Sequence, residues 1–141
     1  MFNKIGLIAT PGVEAVKTTL IELLNYLHAH KRHIVLDKNC AKLVNNDNCE
    51  IFDTNELGSQ CDLVIAVGGD GTMLRASHAL CDFNVPLLGI NLGHVGFLAD
   101  IPADNISKNL DAIMNGNYVE DIRFLLNGQV LRNDKCIYED Y

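Results

Sequence analysis

The most informative stretch of the chain is residues 63–72, which read LVIAVGGDGT. An apolar, β-branched run ends abruptly in glycines and one carboxylate, and a sequence that favours helix follows. This order predicts a buried strand, a tight turn and a helix start, an arrangement that binds phosphate through backbone N–H groups. Asp70 is unusual in such a turn, because a carboxylate repels a phosphate beside it. We therefore interpret Asp70 as a residue with a chemical task.

Strand-like and helix-like segments alternate over residues 1–117. The predicted strands are residues 4–9, 34–36, 63–67 and 86–90. The predicted helices lie near residues 13–27, 73–80 and 106–113. For the last helix, Asp104 is the expected N-cap and Gly116 the residue that ends it. Such alternation predicts an α/β fold, a parallel sheet flanked by helices on both faces. Its ligands are expected at the carboxyl ends of the strands. Residues 37–61 are polar and irregular, with a weak helical signal at 41–44.

The pattern changes after residue 117. Residues 118–141 show no helical period and predict two strands, which we interpret as the start of a β-rich second domain. One prediction has the hairpin turn at Asn127-Gly128. The alternative has the turn at Asn133-Asp134, with one longer strand that runs through Asn127.

Composition narrows the class of protein. The 141 residues are 48% hydrophobic and 21% charged, typical of one globular domain, and a net charge of −7 disfavours a nucleic-acid partner. No apolar stretch approaches the ~20 residues of a membrane helix, and residues 1–6 show no leader pattern. The five cysteines are scattered without a CxxC pair, so we expect reduced thiols, a cytoplasmic location and no protein metal site.

A second glycine-rich segment, residues 89–98 (GINLGHVGFL), also follows a predicted strand and is expected at the same edge of the sheet. Residues 68–72 resemble a motif shared by NAD kinases, diacylglycerol and sphingosine kinases and 6-phosphofructokinases. Residues 89–98 closely match the second motif of NAD kinases, and residues 101–118 and 123–126 continue that similarity. The chain therefore resembles the N-terminal domain of NAD kinases, which implies a Rossmann-like, phosphofructokinase-like fold.

The resemblance implies a reaction and its reactants. NAD kinases transfer the γ-phosphoryl group of ATP, or of polyphosphate in some members, to the 2′-hydroxyl of the adenosine ribose of NAD, with Mg²⁺. It further implies small-molecule partners and a homo-oligomeric parent. The family's C-terminal β-sandwich opens with an Asn followed by an acidic residue. Asn133-Asp134 matches this pair of residue types, but we interpret it as a hairpin turn. Because the motif of the second domain is then missing, we expect residues 1–141 alone to be inactive.

The resemblance gives Asp70 the position of the catalytic base, which accepts the proton of the ribose hydroxyl. The alternative is that Asp70 only caps a helix beginning near Met73. Gly68, Gly69 and Gly71 let the backbone approach phosphate oxygens, unless they merely form a tight turn.

Three further residues are candidates for binding. Thr72 either caps the helix or contacts phosphate. Arg75, one turn into the helix, either reaches back to a phosphate or is a solvated helix charge. Phe97 matches the family's aromatic that packs on the NAD adenine, and the alternative is a core phenylalanine.

Two other functions are compatible with parts of the sequence. A diacylglycerol- or sphingosine-kinase-like domain shares the first motif, but the second motif disfavours it. The second alternative function is a non-catalytic dinucleotide-binding module. It is disfavoured because Thr10-Pro11-Gly12, after the first strand, lacks the GxGxxG motif expected there.

Overall fold

A computed structural model describes residues 2–12, 14–45, 48–93, 96–99 and 101–141. Eight strands are present in these ranges: β1 Lys4–Ala9, β2 His33–Asp37, β3 Glu50–Phe52, β4 Leu63–Val67, β5 Leu87–Asn91, β6 Ile101–Pro102, β7 Gly128–Arg132 and β8 Lys135–Asp140. The α-helices in the same ranges are α1 Glu14–Ala29, α2 Lys38–Ala41, α3 Leu57–Gln60, α4 Asp70–Leu80 and α5 Ile106–Met114.

The first six strands form one parallel sheet in the order β3-β2-β1-β4-β5-β6. The chain runs outward from β1 to β3 and then returns to place β4 on the other side of β1. In this topology, ligands bind where the strand order reverses, outside the carboxyl ends of the strands. Here that point lies between Ala9 and Val67, which pair at the ends of β1 and β4. The predicted α/β fold is confirmed.

Both faces of the sheet are covered by helices. Leu7 and Ile65 face α1 and α5, whereas Ile8 and Val64 face α3 and α4. The predicted helical stripe of α1 lies in the first cluster, where its buried residues include Leu20, Leu23 and Leu27. Strands buried on both sides explain the nearly continuous apolar sequences of β1 and β4.

The helix boundaries differ from the prediction in two places. α4 begins at Asp70 rather than near Met73, because Gly69 occupies the N-cap with an extended backbone. Asp104 lies in a 3-10 turn, and Asn105 is the N-cap of α5, so the predicted cap is wrong. The stop at Gly116 is confirmed by its φ of +84° and its N–H bond to Ile113 O (3.0 Å).

Residues 37–61 are more regular than predicted and hold α2, β3 and α3. Asp37 caps α2 by accepting a hydrogen bond from Cys40 N (2.7 Å). Asp53 and Glu56 form a capping box before α3. These elements have three or four residues each, too few to show a period, so only the cap residues marked them. The edge strand β6 is shorter still, with two residues, and was not predicted.

The C-terminal segment forms a separate antiparallel pair, β7–β8. Its turn is Asn133-Asp134, both with positive φ (50° and 59°), so this alternative is confirmed and a turn at Asn127-Gly128 is wrong. The strand starts at Gly128 rather than running through Asn127, and residues 115–127 contain no strand. His78 Nε2 on α4 contacts Asp140 Oδ1 of β8 at 2.7 Å.

Among the described residues, no helix has both the length and the apolar character needed to cross a bilayer. All five cysteines are free thiols.

Candidate functional site

The residues that follow β1 and β4 meet at the reversal point of the sheet. Thr10, directly after β1, shares a hydrogen bond of 2.6 Å between its Oγ1 and that of Thr72 on α4. Arg75 donates from Nη2 to Ala9 O (3.3 Å) and to Thr10 Oγ1 (3.1 Å). The first turns of α4 are thus tied to the carboxyl end of β1 through side chains.

Gly68 and Gly69 form the turn between β4 and α4, and a third glycine, Gly71, is the second residue of α4. A Cβ at Gly68 would overlap the Thr72 side chain, so this glycine is required for close packing. At Gly69 and Gly71, by contrast, a Cβ would meet nothing within 4 Å, and both residues are exposed. An α-helix leaves its first N–H groups without acceptors inside the helix. The open side of the turn can therefore present backbone donors to an anion.

Asp70 joins this turn to the second glycine-rich segment. Its Oδ2 accepts from Phe97 N (2.9 Å) and its Oδ1 from Leu98 N (3.1 Å). The pKa of Asp70 is lowered, mainly by the hydrogen bond from Phe97 N–H. The backbone N–H groups of Leu98 and Ala99 lower this pKa further, whereas desolvation raises it. Asp70 makes no side-chain cap in its own helix, so the capping alternative is wrong.

Gly96 permits the close approach of these two segments. A Cβ at Gly96 would overlap the Asp70 carboxylate, with Cγ only 2.7 Å away. Gly89 similarly leaves room for Met73 Sδ and for Ala99. The second glycine-rich segment therefore uses these two glycines to pack against α4.

The other predicted binding residues divide into exposed and buried ones. Phe97 is 91% exposed, so the core alternative is wrong and its ring is open to a ligand. Arg75 is exposed but held by the two bonds described above, so it is not a freely solvated charge. Thr72 is 5% exposed and its hydroxyl bonds Thr10. It does not cap α4, whose N-cap is Gly69, and its contact with phosphate stays a prediction.

Asn91, at the end of β5, is buried, and its Oδ1 accepts from Gly93 N (3.2 Å). This bond stabilises the loop, as expected of an Asn in a turn. His94, in the same glycine-rich segment, lies outside the described residues.

Sequence reasoning missed Thr10 as part of the site, and it did not single out Gly96 within the second glycine-rich segment. In the sequence, Thr10 belongs to the segment Thr10-Pro11-Gly12, which lacks the GxGxxG motif of dinucleotide-binding proteins and therefore indicates no binding role. Its position directly after the first strand was the available signal, because β1 borders the reversal point. Gly96 carried no separate signal, since its role depends on a contact with Asp70, 26 positions earlier in the chain.

The arrangement can position an anionic, aromatic ligand next to a carboxylate. Helix N–H groups and the Arg75 guanidinium supply positive potential, and Phe97 offers a flat apolar face. Asp70 supplies an ionised acceptor beside them. Within the described ranges, no three His, Cys, Asp or Glu side chains converge to hold a metal ion.

Known proteins are similar to this chain in sequence and in fold. Residues 5–118 match the model of the ATP-NAD kinase N-terminal domain. The NAD kinase of Coxiella burnetii (strain Dugway 5J108-111) is 40% identical over 136 residues, covering 96% of this chain and 45% of that protein. The NAD kinase of Hahella chejuensis is 42% identical over 136 residues, covering 96% and 46%. The chain thus spans a little under half the length of these relatives.

The fold also resembles the crystal structure of yeast NADH kinase complexed with NADH. The TM-score is 0.71 at 18% sequence identity, and the match covers 82% of this chain and 38% of that one. At this identity, the likeness shows the fold alone. The sequence match decides the family: this chain belongs to the ATP-NAD kinase family, whose N-terminal domain corresponds to residues 5–118.

Proposed function

We propose that the longer protein to which this chain corresponds is an NAD kinase. It transfers the γ-phosphoryl group of ATP, or of polyphosphate, to the 2′-hydroxyl of the adenosine ribose of NAD, giving NADP. One observation carries the proposal: the Asp70 carboxylate lies between the N-terminus of α4 and the second glycine-rich segment, next to exposed Phe97.

Asp70 is the proposed general base. An ionised carboxylate offers about four acceptor positions. The N–H groups of Phe97 and Leu98 occupy two of them, which leaves acceptor positions for the ribose hydroxyl. The lowered pKa keeps Asp70 ionised at neutral pH, the form that can accept a proton, and it also makes the carboxylate of the free protein a weak base. As the ribose oxygen bonds to the γ-phosphorus, its proton passes to Asp70 and the bond from the γ-phosphorus to the departing ADP breaks.

The remaining residues bind the nucleotides. The N–H groups of the turn at Gly69 and Gly71, together with Arg75, are placed to contact phosphate oxygens. Gly68 supports this turn because the absence of a Cβ leaves room for the Thr72 side chain. The exposed ring of Phe97 is proposed to stack on the adenine. The exposure of the residues proposed to contact the nucleotides, and their position at the reversal point of the sheet, support these roles.

Mg²⁺ enters the proposal with the nucleotide. The described residues do not fit a protein cage for this ion. Mg²⁺ commonly binds through phosphates and water, where it neutralises charge during phosphoryl transfer.

A product assay on the longer protein tests the proposal. We expect NADP from NAD, ATP and Mg²⁺, detected by an NADP-specific dehydrogenase, and no product after chelation with EDTA. Polyphosphate replaces ATP in a second arm, and diacylglycerol or sphingosine replaces NAD in a third. Phosphorylated lipid without NADP would contradict the proposal in favour of a lipid kinase, and binding of NAD without any transfer would favour a non-catalytic module.

Residues 118–141 are proposed to open the second, β-rich domain of that protein. We further propose that residues 1–141 alone are inactive, because this chain spans less than half of its relatives. NADP formation by the purified 141-residue chain would disprove this point.

A further inference from the structure

We propose that Thr10 is a positioning residue that fixes the Arg75 guanidinium for a nucleotide phosphate. The proposal rests on the proposed function and adds a residue from a different strand to the site. Thr10 belongs to neither glycine-rich segment, and it lies 60 positions before Asp70 in the chain.

The sheet brings Thr10 to the site. Ala9 pairs with Val67 at the ends of β1 and β4, so the residues that follow each strand are neighbours at the reversal point. Side chains on a helix tilt toward its N-terminus, which directs Arg75 back to this edge. The observed bonds to Ala9 O and Thr10 Oγ1 show the guanidinium there.

Donor counting shows what remains for a ligand. A guanidinium has five N–H groups and no acceptor, so Thr10 Oγ1 must accept from it. The two Nη2 hydrogens suffice for Ala9 O and Thr10 Oγ1, which leaves three N–H groups to reach phosphate oxygens. Arg75 is therefore held at one nitrogen and available at the other two.

Thr10 is itself fixed by a buried partner. Its hydroxyl lies 2.6 Å from that of Thr72, which is 5% exposed and packed so closely on Gly68 that no Cβ fits there. A free arginine loses much side-chain entropy when a ligand orders it. The connection from Thr72 through Thr10 to Arg75 imposes that order before the nucleotide arrives, which favours binding.

The test uses Thr10→Val in the longer protein, since valine keeps the shape and removes the hydroxyl. We expect the KM for one nucleotide to rise about three- to tenfold and kcat to stay within about twofold. Varying NAD and ATP separately identifies the nucleotide whose phosphate Arg75 contacts. Thr10→Ser, which keeps the hydroxyl, should restore most of the lost affinity. Thr18→Val is the matched control, because the exposed Thr18 hydroxyl bonds only within α1, to Glu14 O (3.3 Å).

A double-mutant cycle separates positioning from general damage to the fold. Added to Arg75→Met, Thr10→Val should raise KM no further, because the guanidinium it positions is already gone. An unchanged KM in Thr10→Val, a fall confined to kcat, or full additivity with Arg75→Met would each overturn the proposal. Urea unfolding of each variant shows that the measured protein is folded. Absence of NADP formation by the wild-type protein would instead refute the proposed function itself.

Discussion

Replacing Gly96 with alanine perturbs the contact between Asp70 and the second glycine-rich segment most directly. The new Cβ would lie 2.7 Å from Asp70 Cγ, whereas ordinary contacts begin near 3.4 Å. Asp70 Oδ1 would lie closer still, so the carboxylate and the loop must separate by at least about 0.7 Å, the difference between these two distances. Displacements of about 1 Å at a reacting group can reduce rates by roughly 100-fold. We expect kcat/KM of the longer protein to fall about 10- to 100-fold.

The assay is NADP formation, with kcat and KM determined separately. Gly128→Ala is the matched control, because the nearest atom to its Cβ is Asp140 O at 3.7 Å, an ordinary contact. Thermal unfolding shows whether each variant is folded. A folded Gly96→Ala protein with kcat/KM within about twofold of the wild type would refute the reasoning, because activity would then not depend on the position of Asp70 against the loop.

Two further predictions concern stability and pH. Leu110→Ala on α5 removes a fully buried side chain and should lower the free energy of unfolding, measured by urea titration, by about 2–5 kcal/mol. Leu74→Ala, at a 58% exposed position, should lower it far less. Equal effects of the two substitutions would contradict the assigned core. Asp70 should titrate below its ordinary pKa of 3.8. Its contribution to stability is thus present above 3.8 and lost only as the pH falls through the lower folded value, and an NMR midpoint above 3.8 would contradict this.

Long periodic elements of the fold were predictable from the sequence. The strands β1 and β4 and the helix α1 follow from apolar runs and helical spacing, because burial selects those residues directly. The short elements between β2 and β4 were missed, since their caps at Asp37 and Asp53 stabilise segments of only three or four residues. The parallel edge strand β6 was missed for the same reason, and it includes Pro102, which edge strands tolerate.

The candidate site was predictable in location but not in its contacts. The two glycine-rich segments follow strands, which places them at one edge of a parallel sheet. The bonds from Phe97 and Leu98 to Asp70 depend on three-dimensional distances that no local pattern encodes. The same holds for Thr10, whose partners Thr72 and Arg75 lie more than 60 positions away.

The central claim is that Asp70 accepts the proton of the ribose hydroxyl. Asp70→Asn in the longer protein, assayed at saturating NAD, ATP and Mg²⁺, tests it most directly. Asparagine keeps the size of the side chain and removes its basicity, and positioned bases typically contribute about 100- to 10,000-fold. Asp104→Asn, on an exposed 3-10 turn, is the matched control. We predict that kcat falls at least about 100-fold for Asp70→Asn and is unchanged for the control. A kcat within about threefold of the wild type for Asp70→Asn would contradict the claim.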